Sequence, residues 1–167
     1  NDFTFPVFIK GARQTSRHQA SASIIRSRTD YAVAVELYRQ DPILHWQNFV
    51  CRELVPLRPV SGGLKHKIPS SYEFRTFWWR GQLAGAGRYW LEADDYRWTA
   101  LEKAEALTVA RRAVNALACT FLVLDLAQTE DGRWIVIECN DGMESGYAGA
   151  SPFALWQAIL QGEEIVE

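Results

Sequence analysis

The sequence predicts an α+β domain organised around antiparallel sheet. Strand-like runs occur as neighbours joined by short turn signals. YEFRTFWW is followed by QLAGAGRYW around Arg80-Gly81, and FLVLDLAQ by RWIVIECN around TEDG. Helical periodicity falls between such runs, most clearly over residues 101–118. Neither GxGxxG nor GxxxxGK followed by Ser or Thr occurs, so the two commonest nucleotide loops are missing.

Each element has a local reason. FPVFIK, residues 5–10, reads as a short strand with Pro6 near its start, and the polar, small-residue stretch 11–23 as a loop. Thr29 or Asp30 is suited to cap a helix reaching Gln40, and Pro42 ends it. FVCRELV carries strand character, and SGGLKHKIPSS, residues 61–71, that of a flexible connector. In the 101–118 helix, Leu107, Ala110, Val114 and Leu117 recur at helical spacing and are the expected core positions. Ser151 with Pro152 opens a last helix.

At 167 residues and 48% apolar, the chain can bury a core and fits one domain or two small lobes. Eighteen Lys and Arg against 20 Asp and Glu leave a formal charge of −2, so bulk electrostatics points to no nucleic-acid partner. No apolar run approaches the roughly 18 residues of a spanning helix, and no membrane partner is expected. Cys51, Cys119 and Cys139 lack CxxC spacing and sit beside apolar residues. They read as small buried hydrophobes in a reducing, cytoplasmic setting. His18, His45 and His66 are isolated, with no metal-binding spacing.

The most informative stretch is FLVLDLAQTEDGRWIVIECND. With Asp131-Gly132 as a two-residue turn, Asp125 lies directly across from Glu138, and Asn140 shares their face. That register puts Leu122, Leu124, Leu126, Ile135, Ile137 and Cys139 on a core face, and Phe121, Val123, Trp134 and Val136 beside the carboxylates. Facing carboxylates repel. A divalent cation offsets this, because Asp, Glu and Asn oxygens are hard ligands suited to Mg²⁺. Asp125→Asn or Glu138→Gln is therefore expected to leave stability without ligand unchanged or raised. The glycine-rich DGMESGYAG follows at once.

Three further charged residues sit in apolar runs. Lys10 ends a strand before Gly11, where a lysine either faces solvent or holds a phosphate. Arg75, among aromatics and in phase with Glu73 and Phe77, is expected to pair with Glu73 or another carboxylate, or to bind an anion. Glu53 is again a charge within an apolar run and reads as a partner for Arg52 or Arg58.

Taken in order, VFIK, CREL, the EFR strand, the Asp of VLDLAQ and the Glu-x-Asn of IECND resemble an ATP-grasp domain over nearly the whole chain. The finer pattern CRELVPL, SSYEFRTFWW and DGRWIVIECNDGMESGYAG is similar to the ATP-grasp clade named for two arginines and one lysine. The resemblance implies antiparallel sheets with packed helices in two lobes around a nucleotide cleft. Residues 1–60 would form the smaller nucleotide lobe and hinge, and 71–167 the metal-binding lobe. A preceding N-terminal domain, usual in the family, is expected to be absent.

The resemblance also implies roles. Lys10 would contact the α- and β-phosphates. The adenine would meet residues 51–55, with Glu53 as polar anchor and Val55 among the contacts. Glu73 would hold the ribose hydroxyls, and Arg75 the γ-phosphate or an acyl phosphate, as the catalytic residue. Asp125, Glu138 and Asn140 would hold Mg²⁺, and DGMESGYAG would lie by the acceptor. Arg13, Ser16, Arg17 and His18 would serve in place of a glycine-rich phosphate loop. The implied activity is ATP-dependent carboxylate–amine ligation, with ATP and Mg as cofactors and small-molecule or peptide substrates. A partner domain or homo-oligomer stays open. The alternative is a non-catalytic nucleotide-binding interaction module.

Overall fold

The computed structural model describes residues 4–12, 20–42, 44–64 and 67–164. The chain divides into two compact units, Asn1–Pro56 with Leu64–Pro69, and Leu57–Gly63 with Ser70–Glu167. Arg13, Ser16, Arg17, His18 and His66 lie outside the described residues.

In the first unit, β1 (Val7–Gly11) is the middle strand of an antiparallel sheet between β2 (Ile24–Ile25) and β3 (Phe49–Glu53). The period-2 alternation of β1 sends Val7 and Ile9 into a core with Ala22, Ile25, Ala34, Tyr38 and Leu44. Phe8 and Lys10 therefore lie on the other face. Helix α1 (Ala20–Ser23) replaces the last part of the loop expected over 11–23, and β2 follows it directly. Helix α2 (Arg28–Gln40) is capped by Ser27, not by Thr29 or Asp30. Ser27 Oγ accepts from Asp30 N at 3.1 Å, while the Asp30 carboxylate accepts from Arg26 N at 2.9 Å. The two side chains satisfy backbone donors on both sides of the helix start, which favours the earlier boundary.

The second unit is a four-stranded antiparallel sheet in the order β5-β4-β6-β7, with β4 Glu73–Trp79, β5 Gln82–Arg88, β6 Phe121–Gln128 and β7 Trp134–Asp141. Arg80 and Gly81 both have positive φ, 45° and 79°, as a two-residue type I′ hairpin turn requires. One face packs beneath α3 (Ala100–Leu117) and holds Tyr72, Phe74, Trp78, Leu122, Leu124, Leu126 and Trp134. On the other, Phe77, Phe121 and Val123 pack with Leu155 and Ile159 of α4 (Pro152–Glu164). Ala154 N donates to Ser151 Oγ, so Ser151 caps α4 as expected.

Thr99 caps α3 through a reciprocal box with Glu102. The buried stripe of α3 runs through Ala106, Ala110 and Val114. Leu117, an expected core position in line with that stripe, stands 51% exposed, because it is the last residue of the helix. Where described, the 61–71 segment is anchored rather than flexible, through bridges Pro59↔Ser71 and Gly62↔Ala93. Just before it, Arg58 donates to Glu102 and Gln128, both at 2.8 Å. The cysteines also depart from expectation. Cys51 is half-buried, and Cys119 and Cys139 are exposed. Cys139 sits near the end of β7, and Cys119 just after the helix cap.

Candidate functional site

The β6–β7 hairpin turns differently from the two-residue form. Gly132 N donates to Thr129 O and Thr129 N to Arg133 O, with Gly132 at φ 85°. This is a three-residue loop closed by a left-handed glycine. It shifts pairing by one, to Leu126↔Val136 and Gln128↔Trp134. A β-bulge at Ile137 then restores the register, so Asp125 still pairs with Glu138 and Val123 with Asn140. Trp134 and Val136 consequently pack on the α3 face with Leu126, not beside the carboxylates.

Antiparallel pairing of β4 with β6 puts Arg75 opposite Asp125. One row thus crosses the whole sheet, Gly87–Arg75–Asp125–Glu138. Arg75 Nε and Nη2 donate to the two Asp125 oxygens, each at 2.8 Å, a bidentate fork. The Arg75 side chain is 11% exposed and that of Asp125 is 1%. Arg75 Nη1 donates to Gly146 O at 2.9 Å, and the guanidinium lies 5.0 Å from the Tyr89 ring centre. Burial works against the charged guanidinium, but the Asp125 carboxylate outweighs it, so the Arg75 pKa is raised. Of the two readings of Arg75, pairing with a carboxylate holds here, and the carboxylate is Asp125 rather than Glu73.

Glu73 lies two residues before Arg75 and is 5% exposed. It accepts from Ser71 Oγ at 3.0 Å and Trp90 Nε1 at 3.2 Å. Burial, and then the nearby Asp125 charge, push its pKa up to about 8. Burial also raises the pKa of Tyr89. The DGMESGYAG segment begins beside this row. Its Gly149 N donates to Arg88 O at 2.9 Å. A Cβ at Gly87 would collide with the Gly149–Ala150 backbone, so the loop sits on β5 because that position lacks a side chain.

In the first unit, Lys10 pairs with Val50 across β1–β3, on the face away from the core. Glu53 is exposed and Val55 half-buried. Thr4–Val7 and Cys51–Leu54 line a cavity of about 380 Å³ that includes Glu53. Arg58, one of the two expected partners for Glu53, is bound to Glu102 instead.

Residues 5–159 match the model of an ATP-grasp domain family, the third family of the clade named for two arginines and a lysine. The chain belongs to the ATP-grasp family. No curated protein matches the chain. Among solved structures, D-alanine–D-alanine ligase from Bacillus anthracis is similar at TM-score 0.58 and 16% identity. That match covers 97% of this ATP-grasp chain and 52% of the ligase. L-amino acid ligase from Bacillus licheniformis gives 0.56 and 13%, over 87% of this chain and 34% of the other. VanG D-Ala:D-Ser ligase from Enterococcus faecalis gives 0.55 and 18%, over 84% and 41%. At these identities the likeness establishes the shared fold, α+β with antiparallel sheets. The ATP-grasp chain spans only about a third to a half of those proteins.

The site residues expected from the sequence, Glu73, Arg75, Asp125, Glu138 and Asn140, all lie on the second unit's sheet of this ATP-grasp domain. Sequence reasoning did not single out their neighbours: Ser71 and Trp90 at Glu73, and Tyr89 and the Gly146 carbonyl at Arg75. Only Gly87, in the LAGAG alternation, carried a readable signal of close backbone approach.

Proposed function

We propose that this ATP-grasp domain couples ATP to the ligation of a carboxylate with an amine. The supporting observation is the row Arg75–Asp125–Glu138, with Asn140 two residues further along the same strand. Mg²⁺ typically takes one or two protein carboxylates and completes its shell with phosphates and water. Asp125, Glu138 and the Asn140 amide suit that requirement. When bound, the ion would neutralise phosphate charge.

The chain's own residues do the positioning. Arg75, anchored by Asp125 and Gly146, offers a planar cation toward phosphoryl or acyl-phosphate oxygens. The carboxylate substrate would be activated as an acyl phosphate, and the amine would displace phosphate, with no protein nucleophile. The family resemblance assigns phosphate contacts to Lys10, adenine contacts to Glu53 and Val55, and ribose contacts to Glu73. These assignments belong to the proposal. For the last, Glu73 must exchange its Ser71 and Trp90 partners for ribose hydroxyls.

One observation favours the second reading, a non-catalytic nucleotide-binding module: both Asp125 oxygens are already held by Arg75. The test is calorimetric titration of ATP with and without Mg²⁺, joined to phosphate release in the presence of amino acids. Binding should require Mg²⁺. Arg75→Ala should weaken affinity or turnover by about tenfold or more, the scale of a lost charged hydrogen bond. Arg75→Lys should rescue only part, because the fork is lost. Equal affinities in wild type, Lys10→Ala and Arg75→Ala would overturn the assignment. Mg-dependent binding without phosphate release would establish the module reading.

A further inference from the structure

The outer edge of β5 borders a groove of about 630 Å³ that shares Gly87 with the row described above but none of its charged residues. It is lined by Leu83 through Arg88, by residues 95–98 and by Lys103, with Phe74 and Gly149. β5 ends the sheet order, and among the described residues no strand pairs with its outer side. Tyr89 N donates to Glu73 O, so Tyr89, Gly87 and Gly85 turn their backbone groups toward β4. By the same alternation, Arg88 and Ala86 turn theirs outward. The bond from Gly149 N to Arg88 O bears this out at one end of the strand.

Exposed edges are normally guarded by charge, proline or a covering segment. The interior of β5 is Leu-Ala-Gly-Ala-Gly, with neither charge nor proline. A bulge near Ala84 and the Gly149 contact restrict only its two ends. The methyl side chains of Ala84 and Ala86 leave room for a second backbone to approach, while Leu155 already covers Gly85 and the Gly149–Ala150 backbone covers Gly87.

The rim defines what approaches. Arg88, Arg97 and Lys103 stand against one carboxylate, Asp95, so the groove is cationic. Asp95 is shared, with Arg88 Nη1 at 2.8 Å and Arg97 Nε at 3.4 Å. Trp98 forms a flat wall, stacked on Phe74 with ring centres 4.1 Å apart and planes 13° apart. Lys103 Nζ lies 5.9 Å from the Trp98 ring centre.

We propose that this groove binds an extended, acidic peptide segment of a partner, which adds to the sheet as a strand beside β5. The backbone of Ala86 would supply main-chain hydrogen bonds, and Arg97 and Lys103 would select alternating acidic side chains. An anion without an amide backbone would satisfy the cations and leave the edge unpaired, so the peptide is the better match.

The probe is a fluorescein-labelled, acetylated and amidated peptide of alternating Glu and Val, followed by anisotropy with the whole chain. The expected result is saturable, salt-sensitive binding, with none for the matching Lys-Val peptide. Arg97→Glu with Lys103→Glu, both at exposed positions, should weaken it by about tenfold or more. Hydrogen exchange should show new protection of the Ala86 amide on peptide addition, and Ala86→Pro should abolish binding. If Ala86→Pro fails to fold, the charge-reversed variant and the amide protection decide alone. No binding, equal binding of the Lys-Val peptide, full affinity in the charge-reversed variant, or binding without Ala86 protection would each overturn the proposal. So would tighter competition by a single-stranded oligothymidylate.

Discussion

The two faces of the second unit's sheet are covered by different chemistry. Under α3, aromatic and aliphatic side chains pack from Tyr72 to Trp134. Apart from Thr76, which donates to Leu124 O and accepts from Trp78 Nε1, and Gln128, which accepts from Arg58 Nη1, this face of β4 and β6 is apolar. On the reverse face, the same strands alternate Phe77 with Arg75 and Glu73, and Val123 with Asp125. Helix α4 covers only the apolar end. Where the charges begin, cover comes from the Gly146–Ala150 backbone and from Tyr89. One face maximises apolar burial. The other gives up part of that stabilisation to hold ionisable groups in a water-poor setting, which is what a phosphate or metal site needs.

The largest expected effect comes from breaking the ion pair. Asp125→Ala leaves a buried guanidinium uncompensated and should cost about 3–5 kcal/mol in denaturant unfolding. The double variant Arg75→Met with Asp125→Leu should recover most of it. This reverses the expectation that relieving carboxylate repulsion leaves stability intact. Arg75 already offsets that repulsion, so Asp125→Asn should destabilise the protein as well. If Asp125→Asn is neutral, the two faces differ less than their geometry implies.

The apolar face comes next. Leu124→Ala, at a fully buried position, should cost about 2–5 kcal/mol by urea or thermal unfolding. Leu117→Ala, in the exposed last turn of α3, should stay within about 0.5 kcal/mol. Similar losses at the two positions would contradict the buried stripe through Ala106, Ala110 and Val114.

The subtlest test is a pH dependence confined to the charged face. Glu73 titrates near 8 in the folded chain and within the ordinary carboxyl range when unfolded, near 4.3. Between those values the folded state binds more protons. The contribution of Glu73 is therefore complete below the unfolded pKa, declines as pH rises, and is gone above about 8. Asp125, Arg75, Tyr89 and Tyr96 are the charged or titratable groups around it. Unfolding free energy compared at pH 5 and pH 8 should fall in wild type and fall less in Glu73→Gln. Identical pH slopes would mean that Glu73 is ionised in the fold.

Local chemistry was sufficient for much of this. Period-2 alternation, the Arg80-Gly81 turn, the Ser151 cap, and the opposition of Asp125 to Glu138 could all be read from residues close in the chain. That opposition survived a wrong turn type because the three-residue loop and the Ile137 bulge shift the register by one in opposite senses. The same compensation moved Trp134 and Val136 to the other face, which alternation alone could not reveal. Only the tertiary structure decided that Arg75 clamps Asp125, since β4 and β6 are separated by a hairpin and an 18-residue helix. Strand order depends on which apolar faces can be buried together, and nothing local to EFR or VLD encodes it. The burial of Glu73 beneath Trp90 and the seat of Gly149 on β5 are likewise products of packing between distant segments.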